Sequence, residues 1–340
     1  MAVTAPADGL ALATRGLRKS YGSRLALDGL DLTVPTGIVY GFLGPNGAGK
    51  TTTMRLLAGL IHPDGGTIQL LGSPFGRRDR HRLFDVGALI ESPSFYPFLS
   101  GRQNLRELAA TGAPVPIRRV DELLELVGLN GRDDDKVSGY SLGMKQRLGI
   151  AAALLSDPKL LLLDEPANGL DPAGIVAMRD MLRNLASTGK TVFVSSHLLG
   201  EVQQMVDMVG IIAAGRLVKE GTIDSLLAGE GLVRARVMPD QVPAAVEALS
   251  TLVERARIDT PADEPGWLVV QIAADRAADV SRTLATASIY VAGLESGNDL
   301  ESLFLALTRT ARTDGGEGSI GSRAAAPKTG PNWPAGGAPR

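Results

Sequence analysis

The sequence predicts an α/β fold: a parallel sheet with helices on both faces, followed by a small α+β domain. Two observations carry the first part. Lys159–Leu163 and Thr191–Ser195 are apolar almost throughout, which suits strands covered on both faces. Helical periodicity surrounds them, with Gly143–Leu155 before the first and Ile175–Ser187 between the two. A third observation carries the second part. Beyond residue 225 the short apolar runs follow the order β-α-β-β-α-β, the pattern of a ferredoxin-like domain.

In chain order, Leu12–Leu17, Leu25–Val34 and Ile38–Leu43 are extended segments, punctuated by Tyr21-Gly22, Asp28-Gly29 and Pro35-Thr36-Gly37. Thr52–Leu60 reads as a helix. From about 101 to 130, Leu105, Leu108 and Ala109, then Leu123, Leu124 and Val127, recur at helical spacing. Further on, Val233–Val237, Val253–Ile258, Trp267–Ile272 and Tyr290–Leu294 are expected as strands, and Val242–Leu252 and Ala277–Thr286 as helices. Leu300–Thr308 reads as a last short helix. Residues 311–340 hold seven Gly and four Pro without apolar periodicity, so a disordered tail is expected there. The expected divisions are an extension at 1–10, a main domain at 11–225, a small domain at 226–310 and the tail.

Composition narrows the function. A chain of 340 residues with 44% apolar content supports two cores and excludes disorder along its whole length. A net charge of −2 gives no electrostatic case for nucleic acid as a partner. The absence of cysteine excludes disulfide scaffolds, zinc ribbons and thiol catalysis. Leu160–Leu163, Ile150–Leu155 and Val209–Ala214 are the longest apolar stretches, far short of a membrane span. Met1–Leu12 lacks a basic start and Asp8 interrupts it, so no signal peptide is expected.

The chemistry begins where Ile38–Leu43 runs into Gly44-Pro45-Asn46-Gly47-Ala48-Gly49-Lys50-Thr51 and on to Thr52. This is a complete P-loop pattern between a strand and a helix. Glycines let backbone N–H groups close around phosphate oxygens, and the helix N-terminus adds partial positive charge. Lys50 is expected to reach the β- and γ-phosphates, and the Thr51 hydroxyl to ligate Mg²⁺. Leu160–Leu163 delivers Asp164 and Glu165 to the C-terminal end of a buried strand, 120 residues after Gly44. Asp164 would hold Mg²⁺, and Glu165 would polarise a water for attack on the γ-phosphate.

Tyr140-Ser141-Leu142-Gly143-Met144-Lys145-Gln146-Arg147 precedes a helix 23 residues before Asp164 and resembles the LSGGQ signature of ATP-binding-cassette (ABC) proteins. Ser141 and Gly143 match, while Tyr140, Leu142 and Met144 depart. His197 ends a buried strand where that family has its switch histidine, Gly169-Leu170-Asp171-Pro172 resembles its D-loop, and Tyr21 stands where it stacks an aromatic on adenine. Taken singly, Tyr21 reads as a turn tyrosine, His197 as a strand-end histidine and Ser141 as a helix N-cap. Their common order and spacing selects the family over residues 11–225.

The resemblance implies a RecA-like parallel core, an antiparallel β subdomain and a helical subdomain at about 92–155. It implies ATP and Mg²⁺ as cofactors and two cassettes paired head to tail, each signature capping the ATP of the other. The second cassette would be another copy of this chain or a homologue. It also implies Glu165, His197 and Lys50 as catalytic, and Asp171 as a D-loop nucleotide residue. Glu91 falls where the family usually has Gln. It can ligate Mg²⁺ but adds negative charge near the γ-phosphate: either Mg²⁺ neutralises it or hydrolysis is slower than in Gln-bearing relatives. The segment Ala88-Leu89-Ile90-Glu91-Ser92-Pro93-Ser94-Phe95-Tyr96-Pro97 resembles the bacitracin and lantibiotic-type exporters, which belong with ABC-2 type permeases. That implies an integral membrane permease as partner, docked near Phe95, Tyr96 and Phe98. It implies a peripheral position on the cytoplasmic face of the membrane and export of an antibiotic peptide, drug or similar amphiphile. Leu303–Thr308 resembles the ending of such subunits. The alternative is a soluble ABC ATPase acting on DNA or ribosomes. Against it stand the 92 residues between Gly49 and Ser141, which carry no heptads, and the single cassette. A GTPase or kinase would leave the signature unexplained.

Overall fold

In the computed structural model, residues 9–112, 115–197, 200, 203–227, 231–261 and 264–297 are described. The chain opens with a hairpin, β1 (Leu10–Tyr21) and β2 (Arg24–Pro35), and continues through β3 (Val39–Leu43), α1 (Lys50–Leu57), β4 (Gly65–Leu70), β5 (Ser73–Phe75) and β6 (Val86–Leu89). Two helices follow, α2 (Gly101–Thr111) and α3 (Ile117–Leu126), then α4 (Leu142–Ala153), β7 (Leu160–Asp164), α5 (Pro172–Ser187) and β8 (Thr191–Ser196). After β9 (Met208–Ala213) and β10 (Arg216–Thr222) comes the short α6 (Ile223–Leu227). The last described part comprises β11 (Leu232–Arg236), α7 (Val242–Leu249), β12 (Ile258–Asp259), β13 (Trp267–Gln271), α8 (Ala277–Thr286) and β14 (Gly293–Gly297).

These strands make three sheets. The central one has the order β10-β9-β3-β8-β7-β6 and is parallel except for the β9–β10 pair. Every residue of β3, β7, β8 and β9 is buried. The two faces of this sheet feed two different cores, as side-chain alternation requires. Tyr40, Phe42, Leu160, Leu162 and Phe193 point into a core shared with the antiparallel sheet β2-β1-β4-β5. Val39, Leu43, Leu161, Leu163, Val192 and Val194 point into the other, shared with the helices α4 and α5. Tyr40 stacks on Phe193 at 5.3 Å between ring centres. Along β2 the burial alternates, with Leu30, Leu32 and Val34 inside and Asp31 and Thr33 outside, because that sheet has only one covered face.

The third sheet, β12-β13-β11-β14, is antiparallel throughout and carries α7 and α8. Its apolar cluster is drawn wholly from residues 233–289.

The expected strands β3, β7 and β8 are present, but β4, β5, β6, β9 and β10 were not anticipated. The three-residue β5 contains Pro74 and holds no periodicity to read. The Thr52–Leu60 helix begins earlier, at Lys50, and stops at Leu57, with Gly59 left-handed (φ 67°) just beyond. The helical run at 101–130 divides into α2 and α3. Leu108 is 41% exposed rather than inward, whereas Leu105 and Leu123 are fully buried. The expected strand Val253–Ile258 reduces to Ile258–Asp259, since Arg255–Arg257 turns as a 3₁₀ helix. The expected Tyr290–Leu294 strand shifts to Gly293–Gly297, leaving Tyr290 exposed. The expected helix Leu300–Thr308, the tail 311–340 and most of the 1–10 extension lie outside the described residues. Among the described residues no helix is long and apolar enough to cross a membrane.

Candidate functional site

Three parallel strands end side by side. Leu43 of β3 pairs with Ser196 of β8, and Ser195 of β8 pairs with Asp164 of β7. The loop 44–49, Glu165 and His197 therefore leave the sheet at one edge, where α/β proteins place their ligands. The loop 44–49 is pinned from below. Gly49 has φ 116°, and a Cβ there would lie 2.7 Å from Leu27 Cδ2 and 2.8 Å from the Ala26 carbonyl. No other residue type fits that position without moving β2. The turn feeds directly into α1, whose first amides face the loop.

Lys50 is buried, and its ammonium donates to the Gly44 carbonyl at 2.7 Å. The same Nζ stands 3.4 Å from Glu165 Oε1. The other carboxylate oxygen, Oε2, lies 2.9 Å from His197 Nδ1, a close polar contact that lacks the alignment of a hydrogen bond. Glu165 thus sits between a cation and an imidazole, one on each oxygen. Its backbone is left-handed (φ 49°), uncommon for a residue with a side chain. Ser195 holds this bend. Its hydroxyl donates to Asp164 Oδ1 at 2.5 Å and accepts from the Glu165 amide at 3.0 Å. The Ser195 carbonyl accepts from that amide too, at 3.2 Å. Asp164 is buried at the end of β7.

The open cleft above the loop has a volume of about 280 Å³ and is lined by Tyr21, Arg24, Ala26, Asn46, Gly47, Gly49, Lys50, Thr51, Thr52 and Glu165. Tyr21 ends β1 at the rim and is 45% exposed, with the Lys19 ammonium 5.8 Å from its ring centre. Arg24 was not anticipated: it starts β2 and reaches over the loop, 3.5 Å from the Gly47 carbonyl. Its only sequence cue is its place three residues after Tyr21. Pro45 and Ala48 belong to the loop but do not line the cleft.

Thr51 and the buried Asp164 are hard oxygen donors, a set that fits Mg²⁺ shared with phosphate oxygens and water. Among the described residues no cluster of three His, Cys, Asp or Glu side chains could hold a metal unaided. Glu91 is placed differently from its expected role. It does not line the cleft, and its carboxylate is ion-paired with the Arg55 guanidinium of α1.

Ser141, Gly143 and Asp171 form a second surface. Ser141 caps α4, accepting from the Met144 amide at 3.2 Å, and Asp171 caps α5, accepting from the Gly174 amide at 3.0 Å. The two loops interlock. A Cβ on Gly169 (φ 75°) would lie 2.3 Å from Leu142 Cδ2, and one on Gly143 would lie 2.9 Å from Leu170 Cδ2. The three departures from the expected signature have packing reasons. Leu142 covers Gly169, and Met144 packs against the helical core. Tyr140 is buried with its hydroxyl donating to the Arg132 carbonyl at 2.7 Å, and burial raises its pKa. None of Ser141, Gly143 and Asp171 lines the Lys50 cleft.

A family model described as ABC transporter matches residues 27–168. The bacitracin transport ATP-binding protein BcrA of Bacillus licheniformis is 48% identical over 214 residues, 63% of this chain and 70% of that protein. The lantibiotic transport ATP-binding protein SrtF of Streptococcus pyogenes is 42% identical over 213 residues, 63% of this chain and 91% of that protein. Among solved structures, cbiO1 from Clostridium perfringens, part of the ABC transporter complex cbiONQ, has a TM-score of 0.59 at 26% identity. The match covers 73% of this chain and 97% of that one.

Proposed function

Because the chain belongs to the ABC transporter ATP-binding family and is an ATPase coupled to transport, we propose that it works as a head-to-tail pair of cassettes driving a separate membrane permease. The observation that carries this reading is the split between two surfaces. Lys50, Asp164, Glu165 and His197 gather at one sheet edge, while Ser141, Gly143 and Asp171 face elsewhere. Each is half of a phosphate site, and pairing two cassettes completes both.

In this reading Lys50 holds the β- and γ-phosphates within the loop 44–49, and Tyr21 stacks on the base. Glu165 accepts the proton of the attacking water, and His197 steadies its carboxylate. Mg²⁺, held by Thr51 and Asp164 with the phosphates, would neutralise charge as the γ-phosphoryl group leaves. Closure on ATP and opening after hydrolysis would move the permease.

Tyr96 and Phe98 suit a docking face: they are exposed at 57% and 66%, with ring centres 5.7 Å apart. Phe95 is partly buried against the helical core and belongs to the packing instead. Asn104 fixes this loop. It accepts from the Tyr96 amide at 2.8 Å and donates to the Tyr96 carbonyl at 3.1 Å and the Ser100 carbonyl at 2.9 Å. The likeness to bacitracin and lantibiotic transport subunits supports an antibiotic peptide or related amphiphile as the exported class. It also supports a peripheral position on the cytoplasmic face through the permease. Residues 226–310 would form a separate small domain. Glu165→Gln tests the scheme. ATP binding should persist, hydrolysis should stop, and light scattering should show a dimer with MgATP; turnover near the wild-type rate, or a monomer at saturation that no homologous cassette brings into a pair, would overturn it.

A further inference from the structure

The Arg55–Glu91 pair has no part in the proposed mechanism, although Arg55 lies one helical turn beyond Thr51, which lines the cleft. We propose that Arg55 is a positioning residue for ATP use: it binds Glu91, cancels its charge and keeps its carboxylate away from the triphosphate. The inference rests on the ATPase reading and goes beyond it.

Four observations bear on it. Arg55 lies four residues after Thr51, so both project from one face of α1. Its guanidinium is therefore anchored to the helix that also begins the phosphate loop. Glu91 is directed to that guanidinium and not to the cleft. Its backbone is left-handed, with φ 65°, a conformation that costs free energy for a residue with a Cβ. The segment after β6 is thus bent so that the acid meets the arginine. Tyr21 is Arg55's second neighbour, and with Glu91 it raises the guanidinium pKa, keeping it charged throughout. The pair thus joins the helix that begins at the phosphate loop to the segment that follows β6.

Neither Mg²⁺ neutralisation nor slow hydrolysis is needed to accommodate Glu91, because the chain carries its own counter-ion. An unpaired carboxylate here would repel the phosphates, and a triphosphate more than a diphosphate. The pair itself is exposed at 38% and 58%, so its loss should leave folding nearly intact.

The test is Arg55→Ala in the wild-type and Glu91→Gln backgrounds of the full chain. MgATP turnover and MgADP binding are the readouts. In the wild-type background, KM for MgATP should rise about three- to tenfold with a smaller change in kcat, and MgADP affinity should fall less. High salt should shrink the effect, and Arg55→Lys should restore most of it. In the Glu91→Gln background, adding Arg55→Ala should change KM less than about twofold. The same penalty in both backgrounds, or an equal loss for ATP and ADP, would overturn the proposal. A wild-type chain that neither binds nor hydrolyses MgATP would overturn the ATPase reading itself, before any variant is made.

Discussion

The two proposed half-sites are built by opposite means. At the Lys50 edge the polar groups hold one another and most are buried: Lys50 and Asp164 are 5% and 7% exposed, Ser195 is fully buried, and Glu165 and His197 are half-buried. At the Ser141–Asp171 surface the same kinds of group are exposed, fixed only as helix caps and by Leu142 closing over Gly169. The difference teaches where each half gets its precision. The first is preorganised by the sheet and stays so in isolation. The second is exposed, and in the proposed pairing its energetic worth would appear only when a partner covers it.

Three substitutions sharpen or break that contrast. The largest effect is expected at Lys50→Ala. Removing the buried ammonium should weaken ATP binding by about one hundredfold, the scale of a charged hydrogen-bonding group; unchanged binding in equilibrium dialysis would refute the phosphate assignment. Next is Gly169→Ala, which adds a Cβ against Leu142 at a left-handed position. We expect turnover to fall about tenfold while ATP affinity of the monomer is unchanged, because the damage is confined to the pairing surface. Equal loss of binding, measured by titration calorimetry, would erase the distinction between the halves. Smallest is Ser195→Ala. It leaves Asp164 without its hydroxyl partner, so about 1–3 kcal/mol of stability should be lost, seen as a lower Tm, with a modest fall in kcat. A variant with unchanged Tm would show that the bend at Glu165 supports itself.

What the sequence reveals and hides divides along similar lines. The loop 44–51 is legible because phosphate binding by backbone amides demands glycines at set intervals. Asp164-Glu165 is legible because two acids directly after a run of four leucines stand at the C-terminal end of a buried strand, where such folds place their sites. Ser195 is not: a serine in an apolar strand has no local mark, and its role exists only through register with Asp164. The left-handed backbones at Glu91 and Glu165 are equally silent, since glutamate carries no preference for that conformation. Arg24 and Arg55 become interpretable only when the loop 44–49 and Glu91 are seen beside them. In the sheets, fully buried β3, β7 and β8 announce themselves by composition. The edge strands β6 and β10 do not, because their burial is mixed. Tyr290 shows the opposite error: an aromatic suggests a strand, and the ring ends up in solvent.

The Asn104 clamp has a mechanical corollary. Its side chain binds three carbonyls and one amide across Tyr96–Ser100, so this stretch cannot crumple independently of α2. Were Tyr96 and Phe98 to meet a permease, as proposed, the clamp would pass the load into the helix. A stiff lever of this kind would lose little of its stroke to slack.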